Sequence, residues 1–332
     1  MPNTIINSIK KGVLKPIYFL MGDEPYFIDL VTDYIEQNVL SEADKGFNQV
    51  VLYGRDTTIE AIIAQAKRFP MMAEHQVVIV KEAQALSRNI EKLEAYAANP
   101  QPSTILVIAY KGKRIDKRKK LYKTLNKGAV ILDTKKLYDN QVGNWTRDLL
   151  HEKGFKASPK AISLIVEFLG TDLSKINNEV GKLEVLLDKG TEITAQHVEE
   201  HIGISKDYNV FELRKALGSK DVLKANRIIS YFASNPKANP LVLVIGQLNN
   251  FFIQLMRYHT LTDKSKMSAA SALKISPYFV GEYQNAARNY PLKKLSRIIS
   301  YLRQADVQSK GVEVNQLSDN DILKELVFKI LH

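Results

Sequence analysis

Five short apolar runs within the first 133 residues constrain this chain more than any other feature: IYFLM (17–21), QVVLY (49–53), QVVIV (76–80), TILVIA (104–109) and AVILD (129–133). They are rich in β-branched residues and apolar almost throughout rather than alternating, as strands are when a parallel sheet is covered on both faces. Between them lie stretches of helical period at 26–39, 58–67, 84–97 and 116–126. Strand and helix in alternation predict a three-layer α/β domain whose ligand sites lie at the carboxyl ends of the strands.

After about residue 138 the strand signals stop. Segments 139–153, 158–169 and 172–187 carry apolar residues at spacings of three and four, with Ser158 and Pro159 as a cap and first-turn pair and Gly190 closing the last. Beyond Asp207 the pattern stays helical, at 209–217, 220–234, 240–260, 276–289, 291–307 and 318–331, broken at Pro236, Pro240, Pro277 and Pro291. The expected organisation is an α/β domain over 1–138, a small helical domain over 139–207 and an all-helical domain over 208–332. A chain of 332 residues is too long for one core of usual size and suits such a division.

Apolar residues at 45% and charged residues at 25% are ordinary for a folded soluble protein. No apolar stretch approaches the roughly 18 residues that span a bilayer, so no membrane partner is expected. The start, MPNTIINSIKKGVLK, lacks a continuous apolar stretch followed by small residues, so no secretory signal is expected and the cytoplasm is the expected location. The absence of cysteine excludes disulfides and thiolate chemistry.

The formal net charge of +11 is zoned: residues 111–136 hold 11 Lys and Arg against 2 acids, and residues 209–332 hold 18 against 9. A positive zone suits a polyanion such as DNA, because neutralised phosphates release counterions. KGKRIDKRKKLYKTLNK (111–127) fits a solvated helix face equally well.

The stretch GDEPYFIDL (22–30) follows a strand and opens a helix, the layout that holds phosphates in nucleotide-binding loops. Such a loop also needs a second glycine, a lysine for the phosphate charge and a Ser or Thr for magnesium. After Gly22 the chain has none of these, and Asp23 and Glu24 would repel a phosphate. The strand at 77–80 is followed by Lys81 and Glu82, where an ATPase places an acid for its metal. The shape is present without the chemistry, so no nucleotide and no cofactor are expected.

HVEEH (197–201) places two histidines at i and i+4, a zinc-binding spacing, in the order of the inverted zinc-peptidase motif. The candidate helix has about eight residues before Gly203 and no closing acid ligand downstream, so a solvated pair and no metal are expected. There is no GxSxG elbow, and no catalytic residue is assigned.

Several of these segments carry a resemblance in their order and spacing: FLMGDE, FPMMAEHQVVIV, GTDLSKINNEVGKLEVLL (170–187), TAQHVEEHIGISKDYNVFEL (194–213), SPYFVGEYQNAARNY (276–290) and ADVQSKG (305–311). Together they resemble the delta subunit of the bacterial DNA polymerase III clamp loader over nearly the whole chain. The resemblance implies an AAA+-like α/β domain that has lost its nucleotide site, a helical lid and a helical collar. It makes Gly22, Asp23 and Glu24 a degenerate nucleotide loop, retained because strand, turn and helix still pack. The implied partners are the sliding clamp (beta), the delta prime and gamma/tau loader subunits through the collar, and primed DNA within the complex. The implied role is non-catalytic: to bind and help open the clamp so that it can be loaded during replication.

In this family an apolar wedge between the second helix and third strand enters the clamp, and that position here holds Phe69, Pro70, Met71 and Met72, with Pro70 expected to end the helix. From composition alone these side chains suit a core as well as a partner's pocket. Candidates for nucleic-acid contact are Lys113, Arg114, Lys117, Arg118, Lys120 and Lys310. The rival readings are an independent nucleic-acid-binding protein using the basic zones and, more remotely, a zinc hydrolase at HVEEH.

Overall fold

Each of the five apolar runs becomes a strand, and all five join one parallel sheet. In a computed structural model of the chain, which describes residues 2–202, 208–275, 277–311 and 317–332, two compact units are present, Met1–Leu137 and Tyr138–His332. The boundary expected at 207 lies outside the described residues.

The first unit runs α1 (Pro2–Lys10), β1 (Ile17–Gly22), α2 (Pro25–Asn38), α3 (Glu42–Asn48), β2 (Gln49–Tyr53), α4 (Ile59–Ala66) and β3 (Gln76–Lys81). It continues through two short 3-10 turns to α5 (Glu94–Ala97), β4 (Thr104–Lys111), α6 (Lys120–Gly128) and β5 (Val130–Thr134). The strand order is β2-β3-β4-β1-β5, in a three-layer α/β arrangement. Successive residues of a strand face opposite ways, and each face has its own core. Tyr18, Leu20, Val77, Ile79, Ile105 and Val107 pack with Ile28, Val31 and Ile35 of α2. Phe19, Met21, Val78, Val80, Leu106 and Ile108 pack with Ile62 of α4, Tyr96 of α5 and Leu121 and Leu125 of α6. Burying both faces is what makes these strands continuously apolar.

The single helix expected over 84–97 is instead broken into 3-10 turns at Ala83–Leu86 and Ile90–Leu93 followed by α5. Arg88 and Asn89 are exposed between buried Ala83 and Ile90, so the first turn sinks Ala83 and the second Ile90 and Leu93 instead of sharing a continuous stripe.

The second unit holds α7 (Asp139–Glu152), β6 (Lys156–Ala157), α8 (Pro159–Leu169), α9 (Leu173–Leu186), β7 (Glu192–Ile193) and α10 (Ala195–Ile202). It goes on through α11 (Val210–Ser219), α12 (Val222–Ser234), α13 (Leu241–Thr260), α14 (Lys266–Leu273), α15 (Val280–Asn289), α16 (Leu292–Ser309) and α17 (Asp319–Leu331). Ser158, Asp172, Asn209, Asp221 and Ser318 cap their helices by accepting a backbone N–H three residues on. Strand structure does not stop at 138, because β6 and β7 form a parallel pair of two residues each. Two residues are too few to show an apolar period, so that pair leaves no signal in the sequence. Leu248, Phe252 and Leu255 of α13, Ile298 and Leu302 of α16, and Leu326 and Ile330 of α17 share one core.

Candidate functional site

The parallel sheet has two ends, and the residues singled out in the first unit divide between them. At the carboxyl end Gly22 has φ +125°, and a Cβ there would meet Thr134 O at 2.1 Å, so only glycine lets β1 turn into α2 against β5. The backbone donors that a phosphate would need are already engaged. The Gly22 N–H donates to Lys113 O (3.1 Å) and the Asp23 N–H to Thr134 O (3.0 Å); the Glu24 N–H donates to Thr134 Oγ1 (3.2 Å).

Arg114 closes the same corner, donating to Asp23 (2.7 Å), Asp133 (2.6 Å) and Thr134 O (2.6 Å). Beside it Lys111 pairs with Asp29 (2.8 Å) and Glu82 (3.0 Å), and Lys81 with Glu36 (2.6 Å). Burial works against the Lys81 ammonium, but Glu36 and Asp33 more than offset it and raise its pKa. Each of these cations is already paired with side-chain carboxylates.

The basic residues after β4 share that carboxyl end with different degrees of engagement. Arg114 is committed to the corner, Lys113 donates to Ser87 Oγ (2.7 Å), and Lys120 pairs with Glu94 (3.2 Å). Arg118 pairs with Asp116 (2.7 Å) and holds its carboxyl down at about 2, while the Arg118 and Lys117 side chains stay exposed. Lys310 belongs to the second unit, where it pairs with Asp306 (2.6 Å) at the end of α16.

The amino end of the sheet carries the apolar loop. Phe69 is 77% exposed, Met71 63%, and Met72 fully exposed, with Pro70 half-buried among them. Buried polar side chains hold the loop at three points. Ala66 O accepts from Thr104 Oγ1 (2.8 Å) and Tyr96 Oη (3.2 Å), Arg68 O accepts from Gln76 Nε2, and the Met71 peptide is held by Asn48. Asn48 Nδ2 donates to Met71 O (3.0 Å) and its Oδ1 accepts from Met71 N–H (2.6 Å). Met72 then takes the left-handed conformation at φ +57°, which ordinary side chains rarely adopt.

Pro70 does not end the helix. Helix α4 stops at Ala66, and Thr104 and Tyr96 take the Ala66 carbonyl. Asn48 and Gln76 were not singled out in the sequence, because their role depends on parallel pairing: Gln49 registers with Val77, which sets Asn48 beside Gln76 and the loop that precedes β3.

HVEEH lies on α10 as expected. The His197 and His201 ring centroids are 6.4 Å apart, and His197 Nδ1 accepts from the Thr194 N–H (3.3 Å). Among the described residues no group of three or more His, Cys, Asp or Glu side chains is placed to hold a metal ion. Among them too, no helix is long and apolar enough to cross a membrane.

Residues 18–135 match the family "DNA polymerase III, delta subunit", and residues 207–326 match "DNA polymerase III delta subunit, C-terminal domain". The DNA polymerase III subunit delta of Bacillus subtilis (strain 168) is 28% identical over 329 residues, 96% of this chain and 93% of that protein. The solved Bacillus subtilis DNA clamp loader delta protein is 26% identical, covers 100% of this chain and 99% of its own, and superposes with a TM-score of 0.59. The chain belongs to the family of DNA polymerase III delta subunits, components of the clamp loader.

Proposed function

We propose that the chain binds the sliding clamp through Phe69, Pro70, Met71 and Met72 and helps to open it without chemistry of its own. The observation that carries this is the pairing of three exposed apolar side chains with a backbone fixed by buried Asn48, Gln76 and Thr104. Exposed apolar groups on a held loop lose little conformational entropy on docking, which favours tight insertion into a pocket. Opening needs only that the chain bind the open ring better than the closed one, since a ligand shifts an equilibrium by its differential affinity.

The closed corner at Gly22, Asp23 and Glu24 supports a chain that needs no nucleotide, metal or other cofactor, leaving ATP to partner subunits. On this reading 139–207 is a lid and 208–332 a collar that assembles with the delta prime and gamma/tau ATPases. Primed DNA passes near the basic residues, and the complex works in the cytoplasm. The docking loop and the segment from Lys113 to Lys120 lie at opposite ends of one sheet, so clamp and DNA can be held by the domain without competing.

A clamp labelled with a fluorescence-transfer pair across one ring interface tests the opening step. Adding the isolated chain in excess without ATP should lower transfer, and adding a chain with Met71→Ser and Met72→Ser should not. Unchanged transfer with the native chain, under conditions where binding is complete, would limit its role to attachment.

A further inference from the structure

Helix α3 is seven residues long and buries no apolar side chain; its one buried residue is Asn48. Its position is set by polar contacts instead. Ser41 caps its first turn, Lys45 Nζ donates to Gln37 O (3.0 Å), and Asn48 reaches the Met71 peptide. Yet the residue before Asn48 is a phenylalanine, and Phe47 is 74% exposed. One exposed apolar side chain is ordinary, but one that adjoins other exposed apolar groups extends a patch that a partner can cover.

Its place follows from the topology. Strands β2 and β3 are parallel with Gln49 opposite Val77, so the residues just before each strand lie side by side. Asn48 precedes β2, the docking loop precedes β3, and the two hydrogen bonds between Asn48 and Met71 join them. Phe47 is therefore one residue along the chain from the anchor of the exposed Met71 and Met72.

We propose that the end of α3 is a second element of the docking surface, with Phe47 as a further apolar contact for the sliding clamp. This rests on the docking reading of Phe69, Met71 and Met72. The expected partner surface is an apolar patch on the ring continuous with the pocket that receives the loop. Phe47 widens the footprint from one loop to two adjacent segments joined by Asn48. A loop of three apolar groups buries little area for a specific contact, and a neighbouring exposed ring extends it without further ordering of the chain.

The test uses the full chain and the purified clamp from the same cell. Affinity and thermal unfolding are measured in parallel for Phe47→Ala, Phe47→Leu and Met72→Ala. Expected for Phe47→Ala is clamp binding weaker by about fivefold or more with an unchanged melting temperature, and for Phe47→Leu a partial recovery. If Met72→Ala weakens binding and Phe47→Ala does not, the inference falls and the docking loop stands. If neither variant weakens binding, the docking reading falls with it. A lowered melting temperature for Phe47→Ala with native affinity would make Phe47 a packing residue and also overturn the inference.

Discussion

Asn48 grips the Met71 peptide from both sides, its Nδ2 donating to the carbonyl at 3.0 Å and its Oδ1 accepting from the N–H at 2.6 Å. An amide side chain can do both at one residue, whereas an aspartate lacks the donor and a leucine lacks either. The pair fixes the peptide that precedes the left-handed Met72. Asn48→Ala should cost about 1–3 kcal/mol of stability, because two hydrogen bonds disappear and the peptide is left to find water. Clamp affinity should fall about tenfold because the loop must then be ordered on binding. Native affinity in Asn48→Ala, measured by titration, would show that the clamp orders the loop unaided.

Gly22 is where β1 comes closest to the Thr134 backbone. A Cβ at this position would lie 2.1 Å from Thr134 O, so Gly22→Ala should destabilise the first unit by about 3 kcal/mol or more. The native chain, titrated with magnesium-ATP in a calorimeter, should give no binding isotherm. A one-to-one micromolar isotherm would contradict the closed corner formed by Arg114, Asp23 and Asp133.

Glu212 ties three helices of the second unit together. Its carboxylate is buried on α11, paired with Lys160 of α8 at 2.9 Å and with Lys224 of α12. Burial alone would raise its pKa, but the two lysines more than offset that and hold it below the ordinary glutamate value. A depressed carboxylate contributes stability that is present above the unfolded pKa of about 4.3 and is lost as pH falls through the folded value. Denaturant unfolding followed by the single tryptophan, Trp145, should therefore show stability falling below about pH 4.3. Glu212→Gln should remove that part of the dependence and cost about 2 kcal/mol at neutral pH. A variant with the native pH profile would show that other carboxylates set it.

How much of this was legible beforehand differs between the two ends of the sheet. The five strands were readable because burial on both faces makes them apolar throughout, and the empty phosphate motif was readable because it depends on residues local in sequence. Residues 69–72 could be located, but their exposure could not be read from Phe and Met, which suit a core equally well. The Asn48–Met71 contact was invisible because it joins residues 23 apart through the pairing of β2 with β3. Helix α3 left no signal, since its seven residues hold no apolar stripe. Arg114 looked like a DNA contact within a basic run, and only the fold places Asp23 and Asp133 around it.

Lys117, Arg118 and Lys120 are exposed residues of that run outside the Arg114 corner. Charge reversal at all three, Lys117→Glu, Arg118→Glu and Lys120→Glu, should weaken primed-DNA binding by the assembled loader. The slope of log K against log salt should become shallower by about 0.9 for each phosphate no longer neutralised. Reversal at Arg114 should instead destabilise the fold, because Asp23 and Asp133 would be left without their cation. Unchanged affinity and salt slope in the triple variant would make the run a solvated face.

The most direct measurement compares clamp affinity and thermal unfolding for Met71→Ala and Met72→Ala in the full chain. Both side chains are exposed in the free protein, so truncation takes nothing from the core and melting should be unchanged. Burying either in the clamp is worth roughly 1.5–3 kcal/mol, so each substitution should weaken binding by about tenfold or more. Native clamp affinity in both variants, whatever their melting temperatures, would contradict docking through this loop.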